Sequence, residues 1–293
     1  MSADTVRTRA EARDWVLSRR AEGLRIGLVP TMGALHAGHL SLIRAAAAEC
    51  DVVVVSIFVN PTQFGPSEDL ERYPRRLEAD LQAAGAAGAR LVFAPEPEEM
   101  YAADAATWVT VEGLTDRLCG AARPGHFRGV ATVVAKLFHI LPAHTAYFGR
   151  KDFQQSVVIR RMVRDLDFDI QVRVMPTVRE PDGLALSSRN AYLGPEERRR
   201  ARCLVHALEE ARRLFGEGRR DRMTLVRAMG EVVRREAPGA NVEYIEVVDP
   251  ETLEPAACAE EDSVALLAVR IGATRLIDNL PLVAPPDPVL PGA

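Results

Sequence analysis

Residues Pro30–Leu42 read PTMGALHAGHLSL and carry two of the chain's six histidines, His36 and His39, set around Gly38. Just before them, Leu24–Val29 (LRIGLV) is an apolar run of strand length. Just after them, His39–Glu49 is rich in alanine and leucine and has the spacing of a helix. Val52–Val59 (VVVVSIFV) is then continuously apolar and β-branched, as expected of a strand buried on both faces. A strand, a turn bearing glycine and imidazole, a helix and another strand make a βαβ unit, with parallel strands and a right-handed crossover.

The alternation continues outward. A helical stretch is expected near Pro74–Ala84, a strand at Arg90–Phe93, helical spacing over Gly129–Ile140 and a strand at Thr145–Phe148. Phe153–Asp165 follows as a helix and Ile170–Val174 as a strand. This order predicts an α/β fold, a parallel sheet with flanking helices. Ligands on such sheets bind at the carboxyl ends of strands, near the point where strand order reverses. The quoted stretch follows what reads as the first strand, so it falls on that edge.

Beyond Thr177 the pattern changes. A polar loop (Val178–Asn190) leads to arginine-rich helices at Pro195–Phe215 and Asp221–Glu236. Strand candidates follow at Val242–Val248, Val264–Ile271 and Thr274–Asn279. Helices and strands in separate runs predict a smaller α+β domain. The expected division is 1–177 and 178–293, with a disordered tail at Ala284–Ala293 (APPDPVLPGA).

Composition narrows the function. The chain has 293 residues, 47% hydrophobic and 27% charged, enough for one large domain or two ordinary ones. No apolar run approaches the ~18 residues of a membrane span, and the polar N-terminus, with acids mixed in, resembles no secretory or transit segment. A net charge of −4 gives no global basic field for nucleic acid. Cys50, Cys119, Cys203 and Cys258 are far apart and read as reduced thiols of a cytoplasmic protein. Only Lys136 and Lys151 are lysines among 37 basic residues, so a lysine here marks a place suited to a compact ammonium.

Gly38 permits close backbone approach, and the helix start directs unpaired N–H groups to the strand edge. Such a helix N-terminus attracts phosphate, and two imidazoles can add hydrogen bonds. Two other readings stay open, a zinc site and loop histidines without a task. The zinc reading lacks a third ligand nearby and the H-E-x-x-H pattern. Neither G-K-[ST] nor G-x-G-x-x-G occurs, so the familiar P-loop and dinucleotide cradles are absent.

H-x-G-H after a strand resembles the class I nucleotidylyltransferase-like superfamily. The likeness tightens along the chain through PTMGALHAGHLSL, FVNPTQF (Phe58–Phe64), RYPR (Arg72–Arg75) and RPGHFRGVATVV (Arg123–Val134). It continues with FGRKDFQQ (Phe148–Gln155), PTVRE (Pro176–Glu180) and LSSRN (Leu186–Asn190). In this order, from about Ile26 to about Asn279, they resemble the pantoate–β-alanine ligase (pantothenate synthetase) family. The resemblance implies a Rossmann-like N-terminal domain binding nucleotide and pantoate, and a smaller C-terminal lid domain. It implies ATP-dependent joining of pantoate and β-alanine through pantoyl adenylate, Mg2+ with the ATP, and a cytoplasmic homodimer without nucleic-acid or membrane partners.

The family's site residues carry over by position. Met32, Gly33, Ala34, Leu35, His36, Ala37, Gly38 and His39 would contact ATP, with His39, His36 and Lys151 catalytic and His39 in the acid role. Gly149, Arg150 and Asp152 would lie beside the nucleotide. Ser187, Ser188 and Arg189 would form a mobile phosphate clamp, and Val178 and Leu186 would also contact ATP. Gln63 and Gln155 would hold pantoate through neutral amides, Gln63 also β-alanine, and Phe58 and Val134 would enclose pantoate's methyls. Asp80 is the implied metal contact, through water, although Ala79 stands where some relatives have a second acid. Arg150 replaces the usual glutamate of G-E-K-D, and Leu186 a common methionine. Arg123 and His126 fall in a block that lines the cleft; His139, His144 and His206 read as structural.

Two other functions remain in view. One is a nucleotidyltransferase of the same superfamily acting on a phosphorylated acceptor, for which FVNPTQF and DFQQ offer amides instead of a basic pocket. The other is a non-catalytic RNA-binding module or synthetase remnant. The acidic balance opposes it, and the arginines at 198–200 and 219–222 alternate with Glu196, Glu197, Glu209, Glu210 and Asp221 as a solvated helix surface does.

Overall fold

The computed structural model describes residues 3–66 and 68–283. Two compact units divide the chain. The first comprises Met1–Asp116, Arg123–Gly149 and Val158–Met175; the second comprises Arg117–Ala122, Arg150–Val157 and Pro176–Ala293. The tail Ala284–Ala293 lies outside the described residues.

In the first unit, β1 (Asp4–Val6), α1 (Arg9–Ala21), β2 (Ile26–Thr31), α2 (Ala37–Glu49) and β3 (Val52–Ile57) come first. α3 (Leu77–Ala87), β4 (Leu91–Phe93) and α4 (Pro97–Met100) follow. After α5 (Leu118–Ala122), which belongs to the second unit, come α6 (His126–Ile140), β5 (Thr145–Gly149), α7 (Phe153–Asp165), whose start through Val157 is counted with the second unit, and β6 (Gln171–Met175). The six strands form one sheet in the order β1-β4-β3-β2-β5-β6, all parallel. The α/β reading holds, and its strands run where the apolar runs placed them.

The sheet grows from β2 through β3 to β4 on one side, then returns to add β5 and β6 on the other. Strand order therefore reverses between β2 and β5, which pair directly. This is the crevice that doubly wound sheets offer to ligands, and the segment after Thr31 emerges there. Val53, Val55 and Val92 pack with Ile43 and Ala46 of α2 and Ala84 of α3 in a single core cluster.

One expectation needs correction: β2 is the second strand. β1 and α1 precede it, and neither has a strong pattern. β1 is three residues with two exposed, and α1 buries only Ala12 and Val16. α1 is instead announced by a capping box, in which Glu11 N–H donates to Thr8 Oγ1 and Thr8 N–H to Glu11.

The second unit holds α8 (Pro195–Ala201), α9 (Cys203–Gly216), α10 (Arg222–Glu236) and the antiparallel sheet β7-β8-β9 (Asn241–Val248, Val264–Ile271, Thr274–Pro281). Leu204, Leu208, Met229, Val233, Leu267 and Val269 share its core. The single helix expected over 195–215 is broken at Arg202, so it becomes two. No helix among the described residues is long and apolar enough to cross a membrane.

Candidate functional site

The loop between β2 and α2 is wound tightly. Thr31 Oγ1 donates to the Ser56 carbonyl at 2.8 Å and accepts the Gly33 N–H at 3.2 Å. Gly33 has φ 83°, and Ala34 has φ 50°, which few side-chain-bearing residues adopt. The Ala34 and Leu35 N–H groups donate to Oδ2 and Oδ1 of Asp80, both at 2.8 Å. The loop thereby delivers His36 as the cap of α2, followed by Ala37, Gly38 and His39 in its first turn.

The two imidazoles stack at 4.1 Å with 27° between planes. The His36 backbone N–H points to His39 Nδ1 over 3.4 Å, making that nitrogen the acceptor. A neutral His39 ring then carries its proton on Nε2 and can donate there. No acidic residue lies in the first turn of α2, and its amides lack intrahelical acceptors. An oxyanion is the ligand this arrangement suits.

Gln63 closes the short turn Pro61–Gln63 and is 9% exposed. Its orientation is set by Asn60, which is 1% exposed. Asn60 Nδ2 donates to Gln63 Oε1 at 3.1 Å and to the Gly129 carbonyl at 3.2 Å. Asn60 Oδ1 accepts from Tyr101 Oη and Thr62 Oγ1, both at 2.9 Å. With its oxygen occupied, Gln63 offers its Nε2 hydrogens, one of which meets the weak Met32 sulfur acceptor at 2.9 Å. A carboxylate or hydroxyl oxygen would be a better partner there. Gly129 is obligatory, since a Cβ on it would collide with the Thr62 carbonyl as α6 crosses the turn.

Arg123 and His126 brace the same turn. Arg123 grips both oxygens of Glu68 at 2.6 Å. His126 Nδ1–H donates to the Gln63 carbonyl at 2.8 Å, and its Nε2 accepts from Arg123 at 2.9 Å. Burial would raise the Glu68 pKa, but the Arg123 hydrogen bonds and charge outweigh it and hold the carboxyl below its ordinary range. Phe58 and Val134 are buried, and a cavity of about 360 Å3 beside the loop is lined by Met32, Gly33, Phe58, Arg75, Arg76 and Asp80.

In the second unit, Asn279 Nδ2 donates to the Arg150 and Lys151 carbonyls, both at 2.9 Å, and fixes the RKD turn that follows Gly149. Lys151 Nζ lies 3.5 Å from Asp152. The adjacent glutamines part company. Gln154 is buried and ties the Cys119 N–H and Arg117 carbonyl, whereas Gln155 is half-exposed. Val178 is buried, and the Leu186 N–H donates to its carbonyl at 3.0 Å. Ser187 Oγ accepts the Arg189 N–H, starting the 3-10 turn Ser188–Tyr192. β9 lies against both this turn and the RKD turn, so GRKD and SSRN meet around one strand.

His144 and His206 hold structural bonds, to the Ile26 N–H and to Glu236 respectively, while His139 lies against the Phe168 ring. Sequence reasoning assigned no task to Asn60, Tyr101, Glu68 or Asn279. Asn60 lies inside a recognised block beside its local partners Thr62 and Gln63. Its bonds to Gly129 and Tyr101, and those of Glu68 to Arg123 and Asn279 to Arg150 and Lys151, join residues too distant in sequence for spacing to reveal. Among the described residues no group of three His, Cys, Asp or Glu could hold a metal.

Residues 4–281 match the model of the family described as pantoate–β-alanine ligase. A pantothenate synthetase of Geobacter sulfurreducens is 58% identical over 264 residues, 89% of this chain and 92% of that one. One from Moorella thermoacetica is 54% identical over 279 residues, 95% and 98% of the two chains. Among solved structures, pantothenate synthetase from Thermus thermophilus superposes with a TM-score of 0.89 at 48% identity, covering 96% of this chain and 100% of the other. The Francisella tularensis ligase, complexed with β,γ-ATP and β-alanine, gives 0.75 at 32% identity over 96% and 98%. A stacked histidine pair at the switch point of a parallel sheet, the braced amide turn and whole-length likeness converge: this chain belongs to the pantoate–β-alanine ligase family.

Proposed function

We propose that this chain joins pantoate to β-alanine, forming pantothenate with release of AMP and pyrophosphate. The observation that carries the reading is the α2 start, where His36, His39 and first-turn amides form a phosphate-seeking edge in a chain of this family. A pantoate carboxylate oxygen attacks the α-phosphorus of ATP, and the bond to the β-phosphate oxygen breaks. The neutral amine of β-alanine then attacks the acyl carbon; the C–O bond to AMP breaks and the amine gives up a proton.

His39 Nε2–H donates to the α-phosphate as charge collects there, with His36 beside it. Lys151 supplies a mobile positive charge for the phosphates, and Gly149, Arg150 and Asp152 line the nucleotide. Ser187, Ser188 and Arg189 form the phosphate clamp, with Val178 and Leu186 beside the ATP. Gln63 and Gln155 hold pantoate without ion-pairing its carboxylate, so the nucleophile keeps its charge; Gln63 also faces β-alanine. Positioning and electrostatics supply most of such catalysis. Magnesium, when bound, neutralises the triphosphate and polarises the leaving pyrophosphate. It would be held chiefly by phosphate oxygens and water. The reading includes a cytoplasmic homodimer, which sedimentation would report as twice the chain mass.

The test is exchange of labelled pyrophosphate into ATP. Exchange that requires pantoate and proceeds without β-alanine is the expected result. Exchange that instead requires a phosphorylated acceptor would replace this reading with the nucleotidyltransferase one.

A further inference from the structure

Asp80 sits in the first turn of α3, 4% exposed, and is buried beneath the nucleotide loop. Each of its oxygens receives one backbone N–H at 2.8 Å, from the consecutive residues Ala34 and Leu35. These follow Gly33, so the pinned segment is the one that departs from ordinary backbone geometry. A Cβ on Gly33 would lie 3.0 Å from Asp80 Oδ2 and 3.1 Å from an Ile57 methyl, so the loop comes this close to the carboxylate only because residue 33 lacks a side chain.

We infer that Asp80 is a positioning residue: it holds Ala34 and Leu35 in place so that His36 and His39 are presented to the nucleotide, and it is not the metal's ligand. This rests on the reading of the α2 start as the ATP phosphate site. Two adjacent N–H groups need two acceptor oxygens at fixed separation, which a carboxylate provides and a carboxamide does not. A negative charge beside a polyanion site would ordinarily repel the ligand. Here two amide dipoles are directed onto it, and the amides left for phosphate are those at the start of α2. Asp80 lines the cavity beside the loop, but each of its oxygens already accepts a backbone N–H, so its charge is spent on the loop and not on a metal.

The first measurement needs no substrate. In the full wild-type chain without nucleotide, the Ala34 and Leu35 amides should exchange with deuterium about tenfold or more slowly than unprotected loop amides. Exchange at the unprotected rate would overturn the inference even if no Asp80 variant folds. In Asp80→Asn that protection should be lost, and kcat/KM for ATP should fall about ten- to a hundredfold, as for a hydrogen bond to a charged group. KM for pantoate and the Mg2+ concentration giving half-maximal rate should stay within about twofold of wild type. A raised Mg2+ requirement with loop protection intact would make Asp80 a metal ligand, and unchanged ATP kinetics would remove it from the site. A wild-type chain without pantoate-dependent pyrophosphate exchange would overturn the functional reading, while the amide protection would still report on Asp80.

Discussion

Replacing His39 with alanine should lower kcat by about two to three powers of ten, the usual cost of removing one donor from developing oxyanion charge, or about 3–4 kcal/mol. The His36 N–H occupies Nδ1, so the neutral ring has Nε2–H as its donor. Stacking on His36 at 4.1 Å fixes where that proton points, so little reorganisation is needed when charge develops. Pantoate should bind nearly as before, because its amide partners lie elsewhere in the chain. The effect should therefore appear in kcat and kcat/KM alike, the sign of an interaction made chiefly in the transition state. His39→Gln, which keeps a donor on a shorter lever, should recover part of the loss. Near-normal turnover in His39→Ala would remove the side chain from the chemistry.

Replacing Arg179 with alanine should destabilise the second unit by about 3–5 kcal/mol, because it strands a buried charge. Arg179 and Asp278 are 4% and 3% exposed, and the guanidinium meets the carboxylate twice, at 2.7 and 3.1 Å. It also donates to the Gly183 carbonyl, tying the loop before SSRN to β9. Without it, Asp278 keeps the Asn279 N–H at 2.8 Å, a single neutral donor for a buried carboxylate. The double variant Arg179→Met, Asp278→Leu should recover most of the loss, since removing both charges also removes their desolvation cost. Urea titration of the variants reads this directly, and a loss below about 1 kcal/mol in Arg179→Ala would mean the pair is not buried as described. Asn279, next to Asp278, holds the turn bearing Lys151, so the folded fraction of Arg179→Ala should also lose affinity for ATP.

The central βαβ unit was legible because its signal is local. Val52–Ile57 is apolar on both faces, and the glycine- and histidine-bearing turn stands between two clear periodic patterns. β1 was illegible for the opposite reason: it gains its place by pairing with β4, whose partner residues lie far along the chain. The break at Arg202 is also silent, because the pattern of apolar residues continues across it.

The site divides in the same way. Histidine, lysine and glutamine positions could be read from blocks. What orients them could not: Asp80 grips amides 45 and 46 positions away, and Tyr101 and Gly129 meet Asn60 from separate elements. By its position in the family Asp80 reads as a contact of the metal. Only the backbone around it shows two loop amides already on its oxygens.

The central claim is that triphosphate docks where β2 gives way to α2. A crystal structure of the chain with an ATP analogue that resists α,β-cleavage tests it most directly. The α-phosphate should lie within hydrogen-bonding distance of His39 Nε2, with further phosphate oxygens on the first-turn amides of α2. Phosphates bound away from His36 and His39 would contradict the account.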